Sequence, residues 1–305
     1  MPASSVDPAS AQPQRPIDRT ALVHVLQRLQ RADGAPWLHG EAARRMAERL
    51  TLIKLQPAQV LDWWAALGGG GAALRAVYPK ARIVEVEAAA PAARAPAATP
   101  WWSPRRWSAP RPGAQAEAEV VPASAQLVWA NMMLHAVHDP QAVLRQWHRA
   151  LAVDGFLMFS TLGPGTLEAL RALYRAQGWP PPLAPFVDMH DIGDMLVQAG
   201  FADPVMDQET VTLTWPDAAA LLAELRTLGG NVDPARHAGL RTPRWRARLL
   251  QVLSGLAGAD GRPALQFELV YGHAFKPVPR ARVTSETNLP LDDLRAMVRS
   301  SRKAP

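Results

Sequence analysis

The chain is 305 residues long and 48% hydrophobic, and it carries 33 Lys and Arg against 27 Asp and Glu, a formal charge of +6. That length holds one large α/β domain, or such a domain with an added lobe, and the apolar share supplies a full core. The absence of cysteine excludes disulfides and thiolate chemistry and agrees with a reducing cytoplasm.

The charge excess is arginine, unevenly placed: Arg236, Arg241, Arg244, Arg246 and Arg248 fall close together. Such a cluster either steers an acidic partner or forms a solvated helix face. Basic and aromatic residues do not interleave as they do in RNA-binding strands, so nucleic acid is not the expected partner. Val120 to His138 lacks Asp, Glu, Lys and Arg, yet Pro122, Asn131, His135 and His138 interrupt it. It therefore reads as a buried strand plus loop, and no membrane span is expected.

Residues 1–16, rich in Pro, Ser, Ala and Gln, lack the basic start and apolar run of a signal peptide and read as a disordered tail. Ile17 to Arg31 puts Ile17, Leu22, Val25, Leu26 and Leu29 on one stripe, an amphipathic helix. A second helix is expected from about Glu41 to Ile53, with Lys54 to Pro57 as the turn into a strand. Gln59 to Glu87 then forms one βαβ unit. Its parts are an apolar run ending in Asp62, a glycine-rich turn, a helix from Ala72 to Val77, and a second run from Arg82 closed by Glu87. A glycine turn lets backbone N–H groups approach a ligand, and an acid ending the second strand can accept hydrogen bonds from a ribose diol. The unit suggests a nucleoside-containing cofactor, although Gly68 to Gly71 could equally be a plain flexible turn.

Ala88 to Pro112 is interrupted by prolines and reads as a short helix followed by a long loop; Trp101, Trp102 and Trp107 there either face a partner or pack on the sheet edge. Gln126 to Asn131 is a strand, a helix starts at Pro140, and Phe156 to Thr161 is another buried strand. Further helices are expected over Gly163–Ala176, over Met189–Gly200 with His190 or Asp191 as cap, and over Ala218–Leu228 with Asp217 as cap. Glu209–Trp215 and Phe267–His273 read as strands, and the chain from Lys276 on as a polar tail. This alternation predicts a mostly parallel sheet with helices on both faces and a ligand at the strands' carboxyl ends, where Asp62, Glu87, Asn131 and Thr161 lie.

Three stretches, LVWANMMLHAVHDPQAVLRQWHRALAVDGFLMFSTLGPGTLEALR, DMHDIGDMLVQAGFADPVMDQETVTLTW and FELVYGHAFKP, resemble the malonyl-[acyl-carrier protein] O-methyltransferases of the biotin pathway. The likeness runs from about Arg19 to Pro277. It implies a Rossmann-like class I methyltransferase: a mostly parallel seven-stranded sheet, helices on both faces, and a small helical insertion or lid. The domain would span 17–277, with substrate or lid additions at about 17–53 and 217–262 and a tail at 278–305. The implied reaction moves a methyl group from S-adenosylmethionine to the free carboxylate of a malonyl thioester. Implied partners are the malonyl form of acyl carrier protein or malonyl-coenzyme A, and the implied state is a monomer. The rivals are a catalytically silent homologue that binds a partner and a methyltransferase for another small carboxylic acid.

Carried over by position, Asp62 matches the first acid of the cofactor motif and Gly68 its third glycine. Glu87 matches the ribose-binding acid, Glu117 the acid near adenine, and Asn131 the loop beneath the methionine portion. The sequence departs from the family at four places. Trp64 and Ala66 stand at the first two glycine positions, Ala32 and Asp33 at the usual Tyr–Asp pair, and Pro185 where an arginine usually meets the malonyl carboxylate. Arg171 or Arg175 is the candidate replacement for that arginine. Arg244 and Arg248 are candidates for the carrier surface. A carboxylate is already a nucleophile, so no general base or metal is expected. His135, His138 and His190 read as capping or loop residues, and Met132, Met133 and Met158 as core.

Overall fold

A computed structural model describes residues 15–29, 32, 34–88 and 114–279. The strands are β1 (Gln59–Trp63), β2 (Arg82–Glu87), β3 (Gln115–Ala116), β4 (Ala125–Ala130), β5 (Leu151–Leu162), β6 (Ala202–Thr214) and β7 (Ala264–Phe275). They form one seven-stranded sheet in the order β3-β2-β1-β4-β5-β7-β6. The pairs from β3 through β5 are parallel, and β7 runs antiparallel between β5 and β6. This is the mostly parallel sheet expected from the sequence.

Strand β4 shows why the fold has three layers. Its alternate residues enter opposite cores: Leu127 and Trp129 on one face, Val128 and Ala130 on the other. The first face is covered by α2 (Trp37–Leu50), α4 (Gly71–Val77), α6 (Glu168–Ala176), α8 (Ala218–Thr227) and α9 (Pro243–Ser254), through Met46, Leu74, Leu170, Leu221 and Leu249. The second face is covered by α5 (Pro140–Ala150) and α7 (Met189–Gln198), through Leu144, Trp147, Ile192 and Leu196. Burying such a side chain contributes about 1.5–3 kcal/mol.

The helix α1 (Arg19–Leu29) differs: it has no buried residue. It is tied instead to the segment after α8, since Asp18 N–H donates to Val232 O at 2.8 Å, Arg236 pairs with Asp18 at 2.8 Å, and Arg28 donates to Gly229 O.

Several boundaries move, each for a tertiary reason. Helix α6 starts at Glu168, not Gly163, because strand β7 claims the turn before it. Gly163 N–H donates to Glu268 O and Gly165 N–H to Glu268 Oε2, both at 2.9 Å. The cap of α7 is Asp188, whose carboxylate accepts from His190 N–H at 2.8 Å, rather than His190 or Asp191. Asp217 caps α8 as expected, through Ala219 and Ala220 N–H. Strands β6 and β7 are far longer than their alternating cores, because antiparallel pairing runs from Ala202↔Phe275 to Thr214↔Ala264.

The tail boundaries move as well. Arg15 and Ile17 are buried, so the end of the expected N-terminal tail belongs to the fold. Lys276 is not tail: its Nζ donates to Leu151 O at 2.7 Å and its N–H to Gly155 O at 2.8 Å. Trp101, Trp102, Trp107 and Asp33 lie outside the described residues.

Candidate functional site

The glycine turn follows β1 directly. Trp64, at the first expected glycine position, takes left-handed φ 53° and ψ 51°, a conformation that costs a side-chain-bearing residue about 1–2 kcal/mol. Its N–H donates to Val86 O at 2.7 Å, and its indole N–H to Glu117 Oε1 at 2.6 Å. These contacts hold the strained residue in place.

The short helix α3 (Ala65–Gly68) and then α4 follow. A Cβ on Gly68 would stand 2.9 Å from Asn131 O, so glycine is required there by the close approach of the protein's own loop. A Cβ on Gly70 would collide with the Trp129 indole. The turn is therefore packed rather than loose.

The four acid and amide candidates converge on this turn from different strands. Asp62 is 1% exposed, its Oδ2 facing the first turn of α4. Glu87, at the end of β2, accepts from Ala66 N–H at 2.9 Å. It also lines a small cavity, about 10 Å3, with Leu26, Leu29, Trp64, Leu67 and Ala88. Glu117, in the single 3-10 turn Glu117–Glu119 after β3, accepts from both indoles, Trp63 at 2.8 Å and Trp64 at 2.6 Å. Burial pushes its carboxyl pKa up, and the two indole hydrogen bonds oppose that.

Asn131 is fully buried and fully used. Its Nδ2 donates to His39 O at 2.8 Å and Gly68 O at 2.6 Å, and its Oδ1 accepts from Ser160 Oγ at 2.6 Å. The end of β4 is thus joined to α2, the glycine turn and β5.

Beyond Asn131 lies a group of buried bases. His39 Nδ1 donates to Leu67 O at 2.9 Å, and burial lowers its pKa to about 4. His135 is held well below the usual histidine range by burial first, then by His39 and Arg15. The two rings lie 6.3 Å apart. Arg15 reaches the same place from the start of the described chain, with Nη1 donating to the carbonyls of His135 and Val137 and Nη2 to Pro185 O at 2.6 Å. Sequence reasoning missed Arg15. Its one local mark is the proline after it, which keeps it extended.

The remaining candidates lie apart. Arg171 donates to Pro164 O and pairs with Glu168 at 2.9 Å, and Arg175 pairs with Glu168 at 3.1 Å. No described contact links either to the Asn131 loop. Arg244 and Arg248 are exposed on α9, and Arg248 donates to Gln177 at 3.2 Å and Gln251 at 3.1 Å. Beside them Arg241 stacks on the Trp245 ring at 4.2 Å. His138 meets Arg19, and His190 pairs with Asp188. Met132, Met133 and Met158 are core, as expected. Among the described residues no cluster of His, Asp or Glu could hold a metal ion, and no helix is long and apolar enough to cross a membrane.

Comparisons with known proteins agree with this architecture. A family profile described as a methyltransferase domain matches residues 33–203. The Bacillus subtilis YcgJ protein superposes with a TM-score of 0.50 at 11% identity, over 79% of this chain and 100% of its own, a likeness of fold alone. A malonyl-[acyl-carrier protein] O-methyltransferase from Gallionella capsiferriformans is 39% identical over 87% of this chain and 93% of its own. The protein of that name from Laribacter hongkongensis is 40% identical over 82% and 86%. The chain therefore belongs to the malonyl-[acyl-carrier protein] O-methyltransferase family.

Proposed function

We propose that this protein methylates the free carboxylate of a malonyl group carried as a thioester on acyl carrier protein, with S-adenosylmethionine as donor. The observation that carries the reading is the family match over nearly the whole length of both chains. Malonyl-coenzyme A is the minimal alternative acceptor, and the enzyme acts as a cytoplasmic monomer in this reading.

The turn after β1 suits the donor. Glu87 offers a carboxylate to a ribose diol at the mouth of a cavity whose walls, Leu26, Leu29, Trp64 and Leu67, suit an apolar or flat group. Asp62 and Gly68 set the turn, Asn131 fixes it to the end of β4, and Glu117 orients the Trp64 indole. The cavity, about 10 Å3, is far smaller than the ~300 Å3 lower end of ligand pockets. Entry therefore requires a wall to move, and α1, which supplies Leu26 and Leu29 and buries no residue, is the wall that moves most easily.

When bound, S-adenosylmethionine supplies a methyl group already activated by its sulfonium. The protein's task is alignment and exclusion of water. His39 and His135, neutral at physiological pH, take no proton from the acceptor, because a malonyl carboxylate is ionised before it binds. On the outer surface, the exposed arginines of α9 attract the acidic carrier.

The test is direct. Purified protein, S-adenosylmethionine and malonyl-acyl carrier protein should give a carrier heavier by one methyl ester, read by intact-mass spectrometry. Absence of methylation, together with no calorimetric binding of the donor at millimolar concentration, would sink the reading.

A further inference from the structure

We propose that Arg15 is the anchor for the acceptor's carboxylate, and that it distinguishes the charged substrate from the neutral ester product. This rests on the function proposed above and adds to it a residue drawn from outside the methyltransferase motif.

The argument starts from an incomplete charge balance. Arg15 is 7% exposed. Three carbonyls, those of His135, Val137 and Pro185, accept from its two terminal nitrogens. Its Nε–H is buried and has no acceptor. Among the described residues no carboxylate pairs with it. Its titratable neighbour is His135, which burial keeps neutral, so it does not balance the guanidinium. A dry cation held only by carbonyl dipoles is costly, and an anion presented to Nε would relieve that cost. Burial also lowers the Arg15 pKa, to about 10, which leaves the group charged at physiological pH.

Position decides which anion. Arg15 grips the loop that follows β4, four to six residues beyond Asn131. Asn131 in turn holds Gly68 and the carbonyl of His39, whose ring faces His135. The unsatisfied donor therefore belongs to a residue fixed to the loop after β4, the loop that Asn131 ties to the glycine turn. A guanidinium suits a carboxylate, holding one oxygen while the other remains free to attack. Methyl transfer forms an O–CH3 bond at that free oxygen, breaks the S–CH3 bond, and turns the anion into a neutral ester. The charge that Arg15 holds disappears in the reaction, so the product loses its anchor.

The experiment compares binding of malonyl-acyl carrier protein with that of its methyl ester, by calorimetry without donor, in wild type, Arg15→Met and Arg15→Lys. Wild type should prefer the free acid by about 10- to 100-fold, the range of a charge-assisted hydrogen bond. Arg15→Met should bring the ratio to near one, and Arg15→Lys should keep most of it. Steady-state assays should show the Arg15→Met loss in the KM for malonyl carrier, with the KM for the donor unchanged. A purely structural Arg15 would lower melting temperature and affect both ligands alike, leaving the ratio intact. An undiminished ratio in Arg15→Met would overturn the proposal; should that variant fail to fold, a wild-type ratio of one, or an unchanged ratio in Arg15→Gln, would do so. Wild-type protein that binds the acid selectively yet never methylates it would overturn the reaction assigned above while leaving the anchor standing.

Discussion

The two ends of the proposed site are built on opposite principles. At the donor end the charged groups are carboxylates, those of Glu87 and Glu117, and each accepts from a nearby N–H donor of the chain. At the acceptor end the charged group is a cation, Arg15, with one buried donor left over. The first end is assembled within the β1 to β3 region, whereas the second joins segments separated by 120 to 170 residues. A local motif can be satisfied by its own turn. A site gathered from distant segments is held by the fold and can keep an unmet contact for a ligand.

His39 and Asn131 connect these ends, and acid should weaken the connection most. His39 has a folded pKa of about 4 against about 6.5 unfolded, so the unfolded chain binds a proton that the folded chain does not. Stability from this group is complete above pH ~6.5 and is lost as pH falls toward ~4, by about 3 kcal/mol in total at 1.36 kcal/mol per pH unit. Urea unfolding across that range should show the slope, and His39→Asn should flatten it. A slope unchanged by the substitution would assign the acid sensitivity to other groups.

Glu87→Ala breaks the donor end alone. Loss of charge-assisted hydrogen bonds to a ribose should weaken S-adenosylmethionine binding by about 1.5–3 kcal/mol, one to two decades in Kd. Binding of the malonyl carrier should not change. An unaltered donor Kd would remove Glu87 from the site.

Trp64→Gly should sharpen the contrast in the other direction. It removes a left-handed tryptophan and the indole wall of the cavity, so donor binding should tighten, by about tenfold if roughly one molecule in ten is open at rest. Melting temperature should fall, because a buried indole is lost. Weaker donor binding would show that the indole is part of the donor's own contact surface.

The smallest effect concerns neither end but the approach to them. Arg244→Glu with Arg248→Glu should lower turnover on the carrier-bound substrate several-fold at low salt. The loss should shrink as ionic strength passes ~0.1 M, where the screening length is about 10 Å. Malonyl-coenzyme A turnover should change less. Equal losses on both acceptors at every salt concentration would place carrier recognition elsewhere.

The sequence by itself determined what depends on neighbours along the chain. Period-2 and period-3.6 apolar patterns marked most strands and helices, and with them the sheet class. The acids and amide at strand ends, Asp62, Glu87 and Asn131, were legible for the same reason. Only the tertiary structure decided where β6 and β7 end, since their length is set by each other. The start of α6 was set by Glu268, more than a hundred residues away. Trp64 could enter a glycine's conformation because Glu117 and Val86 hold it there. Arg15 lay in a stretch whose composition says tail, and nothing periodic marks it. Its role comes from three carbonyls that only the folded chain brings together, and a contact between distant segments leaves no pattern in either.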